Sequence, residues 1–125
     1  MAKRKRDPKS ITGSRKPALH LISPVAEIEE AIALKSGAEK HGPWNWRENR
    51  IELMEHIAAV RRHIARFVDG ETADPETGAC PLAHARATLG IIIDARACGT
   101  LIDDRPRRPR VTPAARAITR FTRSR

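Results

Sequence analysis

The chain has 125 residues, of which 40% are hydrophobic and only 3% aromatic. That length allows one domain, and so few aromatics imply an aliphatic, alanine-rich core of the kind helices build. The formal charge of +9 argues against a folded reader of nucleic acid, because it is not spread over a domain face.

The excess sits at the ends. Residues 1–20 hold seven Lys/Arg and one acid, and residues 101–125 hold eight Arg and two acids. Residues 21–100 hold nine Lys/Arg against twelve Asp/Glu, so the middle is mildly acidic. Basic tails of this kind add non-specific affinity for phosphates.

In chain order, residues 1–17 are charged, broken by Pro8, Gly13 and Pro17, and read as a disordered basic tail. "MAKRKRDPKS" is too polar for the core of a signal peptide. It looks like a nuclear-localisation patch, but a solvated tail is the preferred reading. No apolar run approaches the roughly 20 residues of a membrane span. Cys80 and Cys98 form no CxxC pair, so two reduced thiols in a cytoplasmic protein are expected.

The first helix is expected from about Pro24 to Ser36. Ser23 caps it, Pro24 opens it, Gly37 ends it, and Val25, Ile28 and Ile32 form its core stripe. Next comes "SGAEKHGPWNW", a Gly/Pro-punctuated loop holding both tryptophans. Trp44, Asn45 and Trp46 can meet a base there, with Lys40, His41 and Arg47 beside them for phosphates. The plainer reading has the indoles pin a long loop to a small core.

A second helix is expected from about Arg50 to Val68. Asn49 and Glu52 read as a capping box, Gly70 as the stop, and Leu53, Ile57, Val60, Ile64 and Phe67 as the buried face. A third runs from about Pro81 to Cys98 before Gly99, with Leu82, Ala85, Leu89, Ile92 and Ile93 facing the core. "GIIID" within it has the look of a short strand, but its Ala- and Arg-rich flanks continue a helical pattern, and no other strand is expected. The fold class is therefore all-α: a three-helix core over residues 18–102, with residues 103–125 as an Arg/Pro-rich tail. A short helix near Ala114–Arg120 is possible in that tail. Three helices of this length are marginal alone, so a homo-oligomer is expected.

Two groups of residues suggest chemistry. Glu27/Glu30 and Glu52/Glu55 are E-x-x-E pairs, each sharing a helical face. On neighbouring helices such pairs can hold Mg²⁺, an arrangement similar to the MazG-like all-α pyrophosphohydrolases. Equally, such pairs decorate solvated helix faces. The second group is the acidic turn between the last two helices, with Asp69, Glu71, Asp74 and Glu76 between His63 and His84. An antiparallel helix pair brings those two imidazoles together, and a His/carboxylate set can bind a divalent metal or orient water. A water-facing turn is the alternative. His56 lies two turns, about 10 Å, from His63, too far to share one metal with it.

Four segments in order carry a resemblance: "LHLISP" at Leu19–Pro24, "GAEKHGPWNWR" at Gly37–Arg47, "RH" at Arg62–His63, and "GETADPETG" at Gly70–Gly78 followed by "PLAH" at Pro81–His84. Together they resemble the dATP/dGTP diphosphohydrolase N-terminal domain family, found largely in phages and prophages. His41 stands where the family pattern has Tyr, and Pro81 where it has the first His of His-Leu-Ala-His. The Glu pairs fall outside that pattern.

The resemblance implies hydrolysis of dATP or dGTP to dNMP and pyrophosphate with Mg²⁺ or Mn²⁺, in the host cytoplasm if the protein is phage-encoded. Lys40, Asn45, Trp46 and Arg47 are then the expected substrate contacts, and Glu71 and Asp74 the catalytic carboxylates. His63, Asp74 and His84 are the expected metal ligands. Two rivals remain: a non-enzymatic accessory protein that holds nucleic acid through its Arg-rich tails, and a degenerate member with a structural role.

Overall fold

The computed structural model describes residues 3–107, 112–114 and 116–117. Within the expected N-terminal tail, Pro8–Gly13 form a short helix, α1, capped by the Asp7 side chain on the Ser10 N–H. All its side chains are exposed, so it adds nothing to the core. Leu19–Leu21 form a single 3₁₀ turn. In the C-terminal tail, Pro113, Ala114, Arg116 and Ala117 are helical. The rest of the expected Ala114–Arg120 helix lies outside the described residues.

Helix α2 spans Pro24–His41. Ser23 caps it as expected, its Oγ accepting from the Ala26 N–H at 3.3 Å. Gly37 does not end it. The stop is Gly42, at φ 89°, because Pro43 disfavours the helical region for the residue before it and glycine takes a positive φ at no steric cost. Lys40 and His41 therefore stand on the helix and not in a loop. Asn45–Glu48 form a short helix, α3, entered through Trp44 in a left-handed conformation at φ 58°.

Ile51–Glu52 form β1, which pairs in parallel with β2, Leu101–Ile102, in the register Ile51↔Leu101 and Glu52↔Ile102. No strand was expected here, since two residues leave no readable alternation. This bridge delays the start of α4 to Leu53, and α4 runs to Val68. The expected Asn49/Glu52 capping box does not form. The Asn49 amide turns back to Asn45 Oδ1 at 2.7 Å, and Asp104, carried in by β2, accepts from the Met54 N–H at 2.8 Å. A carboxylate placed there also complements the helix dipole.

Helix α5 spans Pro81–Cys98, with Gly99 as a left-handed cap, and "GIIID" is helical within it. It packs along both α4 and α2, while α2 and α4 barely touch each other. The core is built from small residues: Ala33 on α2 clusters with Ala83 and Ala87, and Ala85, Ile92 and Ala95 are buried along the same helix. On α4, Leu53 and Val60 are buried, but Ile64 and Phe67 emerge at its far end.

The expected core stripe of α2 is overturned, and that of α5 holds only at Ala85 and Ile92. Val25, Ile28 and Ile32 of α2 are exposed, as are Leu82, Leu89 and Ile93 of α5. Alanine-to-alanine packing lets the helices approach closely, so the interior admits the small residues and leaves the large ones outside. Cys80 and Cys98 bear free thiols at opposite ends of the 18-residue α5, too far apart to pair. Among the described residues no helix is long and apolar enough to cross a membrane.

Ala95 is completely buried, so Ala95→Leu should destabilise the chain by about 1–3 kcal/mol through overpacking. Urea unfolding followed by helical circular dichroism measures this directly. An unchanged midpoint would mean that the helices are not in close contact there.

Candidate functional site

Because α2 and α4 flank α5 and barely meet, a cavity of about 820 Å³ opens between them, floored by α5 and bordered by Asn45 and Trp46 of α3. Its size lies within the usual range for small-molecule sites. His84 and Asp94 line it from positions ten residues apart on α5, which puts them roughly 15 Å apart along the axis.

Asp94 organises the tryptophan end. Its Oδ2 accepts from Trp46 Nε1 at 2.7 Å and from Arg47 Nε at 2.8 Å, and its Oδ1 from Arg47 Nη2 at 2.9 Å. The bidentate Arg47, and then the indole N–H, hold the Asp94 carboxyl down at about 2. The same contact raises Arg47 above its ordinary value. The Arg47 guanidinium also lies 4.4 Å above the Trp44 ring, in cation–π range. The two indoles sit 5.3 Å apart, tilted by 46°. Thr100 completes the clamp by donating Oγ1 to the Trp46 carbonyl at 2.6 Å.

At the other end the turn after α4 folds back onto α5. His63 and His84 stack with ring centroids 5.0 Å apart and planes 15° apart. Asp74 holds the turn: its Oδ1 accepts from the backbone N–H of Glu76 at 2.9 Å and of Thr77 at 3.0 Å. Those bonds, the Thr77 one foremost, keep its carboxyl below the ordinary range. Thr77 Oγ1 meets His84 Nε2 at 2.7 Å. Burial, followed by the neighbouring His84, pushes the His63 imidazole down from its ordinary value. His63 Nδ1 is covered and has no hydrogen-bond partner among the described residues.

Of the expected substrate contacts, Lys40, Asn45 and Trp46 line the cavity, and Arg47 does not, its guanidinium being committed to Asp94. Lys40 reaches Glu76 at 2.8 Å, an exposed pair that a stronger anion can exchange. His63, Asp74 and His84 all line the cavity, whereas Glu71 lies off it. Of the two glutamate pairs only Glu30 reaches the cavity, and it is bound to Arg86 at 2.8 Å. Glu52 is in β1, so the paired-helix arrangement does not assemble. Arg66, Thr77 and Asp94 also line the cavity, and sequence reasoning missed them. An aspartate inside the apolar "GIIID" run was the one signal for Asp94.

The donor set does not fit a resident Mg²⁺ or Mn²⁺ site in this arrangement. Stacked imidazoles direct their nitrogen lone pairs side by side, in parallel planes, and not toward one point. His84 Nε2 is already met by Thr77, and Asp74 Oδ1 by two amides. Among the described residues no three His, Cys, Asp or Glu side chains converge as ligands, and Mg²⁺ demands near-octahedral oxygen.

Two pH windows follow from these contacts. Asp94 ionises at a lower pH in the folded chain than its ordinary 3.8. The stability contributed by its clamp is thus complete above that value and is lost as pH falls through about 2. His63, lowered from 6.5, binds its proton first in the unfolded chain, so stability should also decline as pH drops below 6.5. Thermal midpoints measured across pH should show both declines. Asp94→Asn should reduce the acid decline, leaving the part that Asp74 supplies, and His63→Gln should remove the one near neutrality. If neither substitution alters the profile, these contacts are not formed in solution.

Comparison with known proteins bears on what such a cavity is for. The chain is 36% identical over 77 residues to the dATP/dGTP diphosphohydrolase of Salmonella phage PMBT28. The match covers 62% of this chain and 26% of that protein, so this chain spans only about a quarter of the relative's length. No solved structure shows significant similarity. The family model described as "dATP/dGTP diphosphohydrolase, N-terminal" matches residues 6–105, a span that contains α1 to α5 and the whole cavity. On that match, the chain belongs to the dATP/dGTP diphosphohydrolase N-terminal domain family.

Proposed function

We propose that the cavity over α5 binds a purine deoxynucleoside triphosphate, and that the chain takes part in its hydrolysis to dNMP and pyrophosphate. The observation that carries this reading is the division of the cavity into two ends. Indoles stand at one end and imidazoles with cations at the other, a layout suited to a ligand with an aromatic base and a polyphosphate. Trp44 and Trp46 offer faces for stacking a purine.

Charge supports the same orientation. Of the four lining acids, Glu30, Glu76 and Asp94 each carry an ion-pair partner, namely Arg86, Lys40 and Arg47, and Asp74 is held by the backbone amides of Glu76 and Thr77. Lys35 and Arg66 also line the cavity and have no ion pair among the described residues. They face the triphosphate. Because the side chains do not form a resident metal site, we assign Mg²⁺ or Mn²⁺ to the substrate, entering as the counter-ion of the triphosphate.

In the hydrolysis, a water oxygen bonds to the α-phosphorus and the bond from that phosphorus to the bridging oxygen breaks. Pyrophosphate leaves with the electron pair. The proton released by the water passes to the imidazole pair, where burial keeps His63 neutral. Asp74 fixes the turn that presents Thr77 to His84, and Thr77 fixes the His84 ring. Glu71, off the cavity, has no part in this scheme.

The full chain, assayed with dGTP or dATP and Mg²⁺ or Mn²⁺, should release pyrophosphate. Trp44→Ala should weaken dGTP binding roughly 10-fold, in line with about 1–3 kcal/mol per stacked base, with helical circular dichroism unchanged. Well-folded protein that neither binds nor turns over either nucleotide would end this reading.

A second reading rests on the N-terminal segment. Lys3, Arg4, Lys5, Arg6, Lys9, Arg15 and Lys16 are all exposed, with Asp7 the one acid among them. Such a segment can hold nucleic acid non-specifically. Removing residues 1–17 and 105–125 should abolish DNA binding and its steep salt dependence, while nucleotide binding in the cavity survives. Tight DNA binding by the trimmed chain would assign that activity to the helical core instead.

A further inference from the structure

Inside a helix glycine is less favourable than alanine, because it gives up more backbone freedom on folding. Gly90 stands in the interior of α5 with helical backbone, so no positive φ requires it there. What its missing side chain leaves is room. A Cβ at Gly90 would meet Glu30 Oε1 at 3.1 Å, closer than ordinary van der Waals contact. Gly90 and Glu30 both line the cavity.

The two oxygens of Glu30 differ. Oε2 accepts from Arg86 Nε at 2.8 Å. Oε1 accepts no hydrogen bond among the described residues and lies over the bare stretch of α5. The Glu30 side chain is only 23% exposed, so the cavity is where this oxygen must find its donor. Its level along the cavity narrows the choice. Gly90 lies four residues from Asp94 at the indole end and six from His84 at the imidazole end, about 6 Å and about 9 Å along the axis.

We infer, on the nucleotide reading above, that Gly90 and Glu30 form the seat of the deoxyribose, with Glu30 Oε1 accepting from its 3′-hydroxyl. A base at the indoles and phosphates at the imidazoles leave the sugar between them. A carboxylate accepts and never donates, and it repels phosphate oxygens. Between base and phosphates, the 3′-hydroxyl is the group that brings it a donor. Arg86 offsets the charge and fixes the carboxylate, so Oε1 is presented in one direction. The absent Cβ lets the sugar ring settle on the α5 backbone.

The test compares dGTP with 2′,3′-dideoxy-GTP, which differs only in lacking the 3′-hydroxyl, by calorimetric titration of the full chain with Mg²⁺. The dideoxy compound should bind the wild type roughly 10-fold more weakly, the effect of one hydrogen bond to a charged acceptor. In Glu30→Ala the two should bind alike. Arg86→Ala breaks the same ion pair but keeps the acceptor, so it should still favour dGTP. Gly90→Ala should weaken dGTP and shrink its advantage, with the helical signal intact because alanine favours helix. Each comparison is a ratio within one protein, so a general loss of stability does not move it. Equal affinities in the wild type would overturn the sugar seat and leave the nucleotide reading in place. A preference for dGTP that persists in Glu30→Ala would also overturn it, because another group then reads the hydroxyl. Failure to bind either compound would end the nucleotide reading, and the seat with it.

Discussion

The structure depends on how little room α5 leaves around itself. Ala83 and Ala87 meet α2 at Ala33, and Ala85, Ile92 and Ala95 are buried along the same helix. A Cβ at Gly90 would stand 3.1 Å from Glu30 Oε1. Close approach on both flanks fixes α2 and α4 to one spine and keeps them from each other, and the gap between them becomes the cavity. The same small interior leaves little apolar surface buried per residue. Large aliphatic side chains remain outside, where they are available to another surface.

Around that spine, polar contacts fix the two ends. Asp94 ties the tryptophan segment to α5 through an indole N–H and a bidentate guanidinium. Asp74 ties the acidic turn through two amides and thereby sets Thr77 against His84. Each carboxylate is kept ionised by the bonds it accepts, so both are positioning groups with no proton to give near neutral pH. The two-residue bridge between β1 and β2 adds a third tie, bringing Asp104 to the start of α4. Both tryptophans are thus accounted for: Trp46 anchors a segment, and Trp44, held in a left-handed backbone and backed by Arg47, is presented at the cavity wall.

Much of this was legible in the sequence, and the misses share a cause. Helix boundaries set by local chemistry came through: Ser23 and Pro24 at the start of α2, and Pro81 and Gly99 around α5. The meeting of His63 with His84 followed from helix–turn–helix connectivity alone. What failed depended on distant partners. Asn49 was read as a cap, but Asp104 supplies one from fifty residues away. Arg47 was read as a phosphate ligand, but Asp94 claims it. The stripe Val25, Ile28 and Ile32 was read as core because periodicity marks an apolar face without saying what covers it. Resemblance to the family came from motif order, which survives even where single residues such as His41 and Pro81 depart.

Function at this site depends on occupancy of the gap above α5. The most direct measurement is a ¹H–¹⁵N NMR titration of the full chain with dGTP and Mg²⁺, following the Trp44 and Trp46 indole N–H signals and the His63 and His84 imidazoles. Saturable shifts at both ends of the cavity, indoles and imidazoles together with one affinity, are the result expected. Shifts confined to the basic N-terminal segment, with the indoles and imidazoles unmoved at saturation, would contradict it.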